Sequence, residues 1–544
     1  MLRTLVLLLA VSTIAPTAAP GQRFYPDDPI EMVPDALVVE DAAYRKLNDY
    51  YDLFTHQLKS LGEPQPEKGP PIRAQSINTI DEAPDDPGWF INRIGSREVS
   101  LEEIAQGPGN GQPPSEGVWK IVAAKTEGVT PGFRIKDPKG RQYILKFDPL
   151  KYPEMATGAD VIGSMALHAL GYNVPQNYLV VFDPKQLEIE DGATMPDVQG
   201  HDRPIERFDV DHALLKVPRR PDGRIRAVAS RLLDGKILGE FRYYGTRADD
   251  PNDIVPHEHR RDLRGLFVFD AWLNHNDSRA INDLDSLVQD GPLKYVKHYL
   301  IDFGAILGSA SVVSNTARDG NAYFWEPSSA LTQMFTLGLY VPRWARAKYE
   351  KSPAVGMVNS KAFRPDNWKP NYPNPAFNNR LPDDEFWAAK KVMAFTDAHI
   401  RAMVEAARYS DPSDTELLIR YLKERRDRIG STYLTKVLPL DRFRVEDSQI
   451  AFDDLGVRYG LSPAEDYQFE WFSFDNQSEA LTPLADAATA SVPKSKGDYV
   501  AAQIRGEDPD KTVMVFVRTK GDSAEVVGVE RSWKGLNSKK RQQQ

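Results

Sequence analysis

The sequence predicts a mixed α+β chain in which a β-rich lobe precedes a mainly helical one and a further β-rich module follows. Three observations predict it: strand-like runs broken by Gly and Pro turns over 118–147, helical-period amphipathic patterns over 384–428, and a return to short β-rich runs after 441. At 544 residues the chain exceeds one core, since single cores stop growing at roughly 250–300 residues. Its 41% hydrophobic and 27% charged residues are those of a folded globular protein. A net charge of -10 argues against a surface built to track phosphate backbones, so nucleic acid is not an expected partner.

Residues 1–19 begin with Arg3, run through apolar residues from Leu5 to Ile14 and end in small residues around Thr17, Ala18 and Ala19. That is the order of an export signal peptide; a buried N-terminal strand or helix is the alternative reading. No later stretch approaches about 18 consecutive apolar residues, and the chain has no cysteine. The expectation is an exported protein, periplasmic or extracellular, without stable membrane insertion and held by packing rather than cross-links.

Residues 20–114 read as an extension. Within it, 41–61 sets Ala42, Tyr44, Leu47, Tyr50, Tyr51, Phe54 and Leu58 on one stripe, which predicts one packed amphipathic helix. Pro- and Gly-rich stretches at 62–71 and 107–114 read as linkers and put a boundary near 115.

In the predicted first lobe, 115–240, strands fall at 118–124, 133–135 and 143–147, a helix at 154–170 is closed by Gly171, and strands return at 178–182 and across 225–241. The second lobe, 241–440, holds predicted helices at 258–273, 384–408 and 414–428. A β-rich appendage spans 441–533, with strands near 467–474, 499–504, 513–517 and 526–529, and a polar tail, 534–544, reads as disordered.

Phosphoryl transfer asks little covalent work of a protein. It needs a cation on the nucleotide phosphates, oxygen ligands for magnesium and a carboxylate beside the acceptor hydroxyl. The run 274–282, Asn-His-Asn-Asp-Ser-Arg-Ala-Ile-Asn, contains His-x-Asp with an Asn five residues after the Asp. That spacing makes Asp277 the candidate base and lets Asn282 turn back to a metal.

Twenty residues on, the apolar run Tyr299-Leu300-Ile301 delivers Asp302-Phe303-Gly304, so Asp302 is the second candidate magnesium ligand. A hairpin over 287–298, turning at Asp290-Gly291, would return Asp302 to Asn282. Upstream, Lys146 is the lone lysine of an apolar strand, the setting in which an ammonium meets nucleotide phosphates. Gly128 and Gly132 either let the backbone approach those phosphates or serve as ordinary hairpin glycines. ATP and Mg2+ are therefore the expected cofactors. The bland alternatives are a snorkelling edge-strand lysine for Lys146, turn-formers for Asp277 and Asn282, and a strand-end cap for Asp302.

In order and spacing these residues resemble the atypical protein-kinase-like superfamily, especially the HipA-type kinases, the phosphatidylinositol kinases and the secreted spore-coat kinases, over roughly 115–430. The resemblance implies a two-lobed protein-kinase-like fold. HipA-type kinases carry a helix glutamate eleven residues before the glycine of a Leu-Gly-x-x-Val-Pro-like segment. Here that segment is Leu170-Gly171-Tyr172-Asn173-Val174-Pro175. The matching position is Asp160, one methylene shorter, which makes it the implied partner of Lys146, with Glu154 the other acidic choice. Asn276 stands where many protein kinases place an arginine that receives an activation-loop phosphate, so that route of regulation is not expected.

The functional expectation is an exported kinase-like phosphotransferase using ATP and magnesium. Its acceptor class (protein, lipid, sugar or small molecule) and the choice between phosphoryl and nucleotidyl transfer stay open. The alternative is a catalytically inactive nucleotide-binding pseudokinase or interaction scaffold, motivated by Asp160 and by export to where ATP is scarce. His257-Glu258-His259 lacks a matched third ligand and reads as structural, and the aromatics Tyr467, Phe469, Trp471, Phe472 and Phe474 read as strand core. No Gly-x-Ser-x-Gly, His-Glu-x-x-His or Walker pattern appears.

Overall fold

In a computed structural model, the described residues are 21–33, 35–62, 71–125, 132–197, 199–326, 331–332, 334–337, 339–350, 352–358, 360–484, 488–495, 497–521 and 523–536. The 1–19 segment, Gly128 and residues 537–544 lie outside them. Among the described residues no helix is long and apolar enough to cross a membrane.

Among the described residues the architecture is mixed α/β with four sheets. The first, of order β4-β7-β3-β2-β1-β5-β6, comprises β1 (Trp119–Ala124), β2 (Gly132–Lys136), β3 (Gln142–Phe147), β4 (Asn177–Phe182), β5 (Leu187–Pro196), β6 (Asp202–Pro204) and β7 (Ile225–Arg231). All its pairings are antiparallel except β1 with β5. Along β3 the pleat sends Tyr143, Leu145 and Phe147 into a core with Trp119, Ile135 and Phe182. The opposite face carries Ile144 and Lys146, because successive side chains alternate.

Helix α1 (Asp49–Gly62) precedes the sheet, as does the short α2 (Leu101–Gln106), which Ser100 caps by accepting from the Glu103 backbone N–H. Helix α3 (Met155–Leu170) follows β3, is buried along nearly its whole length and ends at Gly171, whose φ of 134° few other residues adopt. Beyond the short α4 (Arg207–Leu214), helix α5 (Arg261–Leu273) is fully buried. It shares the largest core with α6 (Pro382–Met393), α7 (Asp397–Ala406) and α8 (Pro412–Tyr433). A three-stranded sheet, β10-β9-β8, joins β8 (Lys236–Gly239), β9 (Asp283–Asp290) and β10 (Leu293–Leu300).

After a hairpin of β11 (Leu440–Glu446) and β12 (Gln449–Asp454), a five-stranded antiparallel sheet of order β14-β13-β15-β16-β17 is built from β13 (Gln468–Phe474), β14 (Leu481–Pro483), β15 (Tyr499–Arg505), β16 (Thr512–Lys520) and β17 (Ser523–Arg531). Trp471 is fully buried, with its Nε1 donating to Thr489 O at 2.8 Å, so this aromatic strand is core as its alternation predicts.

Several local expectations are corrected. The stretch 41–61 is helical only from Asp49, and its apolar stripe faces outward: Tyr50, Tyr51, Phe54 and Leu58 are exposed while Asp52 and Gln57 are buried. The inner contacts of α1 are polar, so the polar side of the helix turns in. The helix predicted at 384–408 is two helices, because Thr396 starts a new one with a capping box to His399. The strand predicted across 225–241 divides between two sheets, and the helix predicted from 258 begins at Arg261 after a 3-10 turn. Part of the predicted tail is packed, since Leu536 lies against the main core beside buried Trp533.

The residues before β1 are woven through the chain. Phe24 packs against Phe474, Tyr499 and Phe516 with ring centroids 5.2 to 5.9 Å apart. Trp89 stacks on His298 at 3.5 Å, and Phe90 packs on Tyr172 and Trp387. A buried charge cluster joins the same parts. Arg261 meets Asp81 at 2.8 Å, Asp384 at 2.8 Å and Asp383 at 3.3 Å, while Arg531 meets Asp81 and Asp441 at 3.2 Å each.

Candidate active site

The opposite face of β3 looks onto α3, and this is where the upstream site residues meet. Lys146 Nζ lies 3.1 Å from Asp160 Oδ2 and 3.2 Å from Asp302 Oδ1. Asp160 is held in place by two donors to its Oδ1, Asn177 Nδ2 at 3.1 Å and the Phe303 backbone N–H at 3.1 Å. Glu154, the other acid weighed for this role, turns away at the start of α3, where it accepts from the Ser410 backbone N–H at 2.7 Å and from the Ser410 hydroxyl. Burial works against a charged Lys146, but Asp160 and Asp302 outweigh it and hold the ammonium above its ordinary pKa. Burial raises the Asp160 carboxyl against the pull of Lys146, whereas Lys146 is the main cause that lowers Asp302. Lys146 and both acids therefore form one electrostatic unit.

Phe303 reaches α3 because Gly163 leaves room: a Cβ there would sit 2.5 Å from the Phe303 Cβ. Asp302 has φ 61° and ψ 62°, a left-handed backbone that is sparsely populated outside glycine.

The loop after α5 supplies the remaining groups. Asn274 caps α5 in a left-handed conformation, and the His275 backbone N–H donates to Asp270 O at 2.8 Å. His275 Nδ1 meets Asp270 Oδ1 at 3.2 Å. Burial disfavours the charged ring, but Asp270, helped by Asp277 and Asp302, outweighs it and raises the His275 pKa. A 3-10 turn over Ala280–Asn282 follows. Asn282 Nδ2 donates to Asp277 Oδ2 at 2.9 Å and to Asp277 O at 2.6 Å.

The β9–β10 hairpin pairs Leu300 with Asp283, and the Ile301 N–H donates to Asn282 O at 3.0 Å. The return expected from the Asp290-Gly291 turn thus brings Asn282 beside the residue preceding Asp302. Lys146 thus joins Asp160 and Asp302, Asn282 joins Asp277, and the Ile301–Asn282 backbone bond links the two groups. Gly132 pairs with Lys146 across β2 and β3, and a Cβ on it would lie 2.4 Å from Leu145 O. Close strand approach alone accounts for that glycine.

Two side chains at Asp277 carried no role in the sequence reading. Asn371 Nδ2 donates to Asp277 Oδ1 at 2.7 Å, and Asn276 Nδ2 donates to Asn371 Oδ1 at 3.0 Å. Arg279 Nε lies 2.6 Å from Asp277 Oδ1, and its Nη1 pairs with Asp49 of α1. Arg279 stands in the quoted loop two residues after Asp277, which is a signal of sorts. Asn371 and Asp49 have none, since they arrive from distant segments. His257 is structural, bonded to Arg242 O and, at 2.8 Å, to Asp253 Oδ2.

The donor chemistry fits a magnesium nucleotide. Asn282 donates through Nδ2 and keeps its Oδ1, and Asp302 offers carboxylate oxygen, the hard ligands that Mg2+ takes. Among the described residues no cluster of three or more His, Asp or Glu forms a cation site by itself. A cation at Asn282 and Asp302 therefore needs further oxygens of the kind phosphates supply.

No family model matches the chain, and no curated protein matches it. Among solved structures, a crystal structure of the Golgi casein kinase with Mn/ADP bound is similar at 10% identity and a TM-score of 0.26, covering 62% of this chain and 77% of that one. A second crystal structure of the Golgi casein kinase is similar at 9% identity and a TM-score of 0.26, covering 76% of this chain and 97% of that one.

Proposed function

We propose that the chain is an exported kinase-like phosphotransferase that uses ATP and magnesium, with a two-lobed kinase-like body over 115–240 and 241–440 and a β-rich module over 441–533. The observation that carries it is the simultaneous contact of Lys146 with Asp160 and Asp302. A strand lysine, an acid of the helix that follows it and the acid of Asp-Phe-Gly, 156 positions beyond the lysine, share one ammonium.

In this reading Lys146, charged and fixed by Asp160, donates to nucleotide phosphates. Asn282 and Asp302 would supply oxygen ligands for magnesium, which when bound would offset negative charge on the phosphates. Asp277, oriented by Asn282 and Asn371, accepts the proton of the acceptor hydroxyl.

A second reading, a nucleotide-binding pseudokinase, draws support from Arg279, which covers the same Asp277 oxygen that Asn371 holds. One experiment separates them. Incubated with labelled ATP and magnesium, a phosphotransferase transfers label to itself or to an added acceptor and loses this with Asp277→Ala. Nucleotide binding without turnover favours the pseudokinase, and absence of nucleotide binding overturns both.

A further inference from the structure

Between 327 and 349 the sequence holds no Asp or Glu, although the chain as a whole carries a net charge of -10. The same stretch presents bare apolar side chains. Leu337 and Leu339 are 90% and 84% exposed, the two most exposed large apolar side chains among the described residues, and Phe335 is 79% exposed. Met334, Tyr340 and Val341 are exposed beside them. Side chains this bare project from the surface rather than line a groove, so a partner must surround them.

The backbone is arranged to hold them outward. The Thr336 N–H donates to Thr332 O at 3.0 Å, the Leu337 N–H to Met334 O at 3.1 Å and the Leu339 N–H to Thr336 O at 2.9 Å. The Tyr340 N–H donates to Thr336 Oγ1 at 3.3 Å. Donors answered within the loop can leave water without stranding a hydrogen bond. Leu337, the most exposed of the set, adopts φ 48°, in the left-handed region that bulky residues rarely occupy. Both ends are tied to the body: the Phe324 N–H donates to Asn371 O at 2.7 Å, Glu326 pairs with Lys369, and Glu350 pairs with Arg420 of α8 at 2.5 Å.

Cations follow the apolar residues. Arg343, Arg346 and Lys348 are exposed, with Trp344 half-buried between the two arginines. The order along the chain is thus an apolar tip, then Tyr340 and Trp344, then three positive charges. An anionic bilayer presents the complementary order from its inside outward: acyl chains, the interfacial zone where Tyr and Trp settle, and negative headgroups. A fluid interface surrounds a projecting leucine without a preformed pocket, whereas a folded acidic protein would need one cut to it.

We propose that this loop docks the protein on anionic lipid. Phe335, Leu337 and Leu339 enter the interface, and Arg343, Arg346 and Lys348 meet headgroup phosphates. Such docking lies on the bilayer and spans nothing, and it stands independently of the phosphotransferase reading.

The test is co-sedimentation of the full chain with vesicles of about 25% phosphatidylglycerol in phosphatidylcholine, against phosphatidylcholine alone. Binding to the anionic vesicles is expected to be about tenfold tighter or more than to neutral ones and to weaken between about 0.05 and 0.5 M salt. Leu337→Asp with Leu339→Asp, and separately Arg343→Glu with Arg346→Glu, should each lower it by about tenfold or more. Aspartate tolerates the left-handed backbone at 337, and circular dichroism and the melting temperature check that both pairs stay folded. Absence of binding, equal binding to neutral vesicles, or binding that either pair leaves unchanged overturns the proposal. Self-association that the leucine pair abolishes, without vesicle binding, overturns it in favour of a contact between copies. Binding of a soluble poly-glutamate peptide, with none to vesicles, does so in favour of an acidic protein.

Discussion

Asp160→Asn isolates the charge of the Lys146 partner. The carboxamide oxygen can still accept from Asn177 and the Phe303 N–H, so the shape of α3 is kept. Its NH2 group, however, would face the Lys146 ammonium donor to donor. Two unit charges 3.1 Å apart attract by about 5 kcal/mol at an effective dielectric of about 20. Relief of carboxylate burial returns part of that, and Asp302 still holds Lys146, so a net loss of about 2 to 3 kcal/mol is expected. Lys146 should then lean on Asp302 and withdraw that carboxylate from the cation. Affinity for magnesium ATP should fall by roughly 30- to 100-fold. Isothermal calorimetry measures it, with the melting temperature of the nucleotide-free protein as control for folding. A dissociation constant within about twofold of the parent's, well under the tenfold worth 1.4 kcal/mol, in a variant that melts normally would refute the idea that Asp160 positions Lys146.

Other perturbations test the scaffold. Arg261→Met leaves Asp81, Asp383 and Asp384 to Arg73, Arg264 and Arg531 alone and should cost about 3 kcal/mol, read as a lower urea midpoint by tryptophan fluorescence. Phe24→Ala empties the seat among Phe474, Tyr499 and Phe516. A loss of about 3–5 kcal/mol should appear as faster hydrogen exchange in β13, β15 and β16, with β3 unaffected. Asp35 is raised from 3.8 to about 7, first by burial and then by Asp86. A carboxyl that binds its proton more tightly when folded contributes stability that is full below its unfolded pKa and is lost as pH rises through the folded value. Stability should therefore decline between about pH 4 and 7, and Asp35→Asn should flatten that decline in melting curves taken across the range.

What could be read in the sequence was what local pattern encodes. The pleat of β3 dictates the face of Lys146, the Asp290-Gly291 turn dictates the return of Asp302, and Gly171 marks the end of α3. Asp160 was reachable only by resemblance, since an aspartate in an apolar helix has no periodic signature of its own. Asn371 was out of reach because its bond to Asp277 spans 94 positions and its own neighbourhood of Asn and Pro reads as loop. Helix α1 misled for a physical reason. An amphipathic stripe says that two faces differ, and here polar contacts to Arg279 and Tyr372 fix which face turns inward.

The seat of Phe24 has a consequence for biosynthesis. Its backbone N–H donates to Asn476, 452 positions later, and Thr79 waits for Val529 in the last strand. At about 5–20 residues per second a ribosome needs roughly 20 to 90 seconds to bridge the first of these gaps. Throughout that interval the leading aromatic lacks all three ring partners, and a translation product stalled before β15 lacks Tyr499 and Phe516. The early segment is thus fully seated only after β16 and β17 have been made.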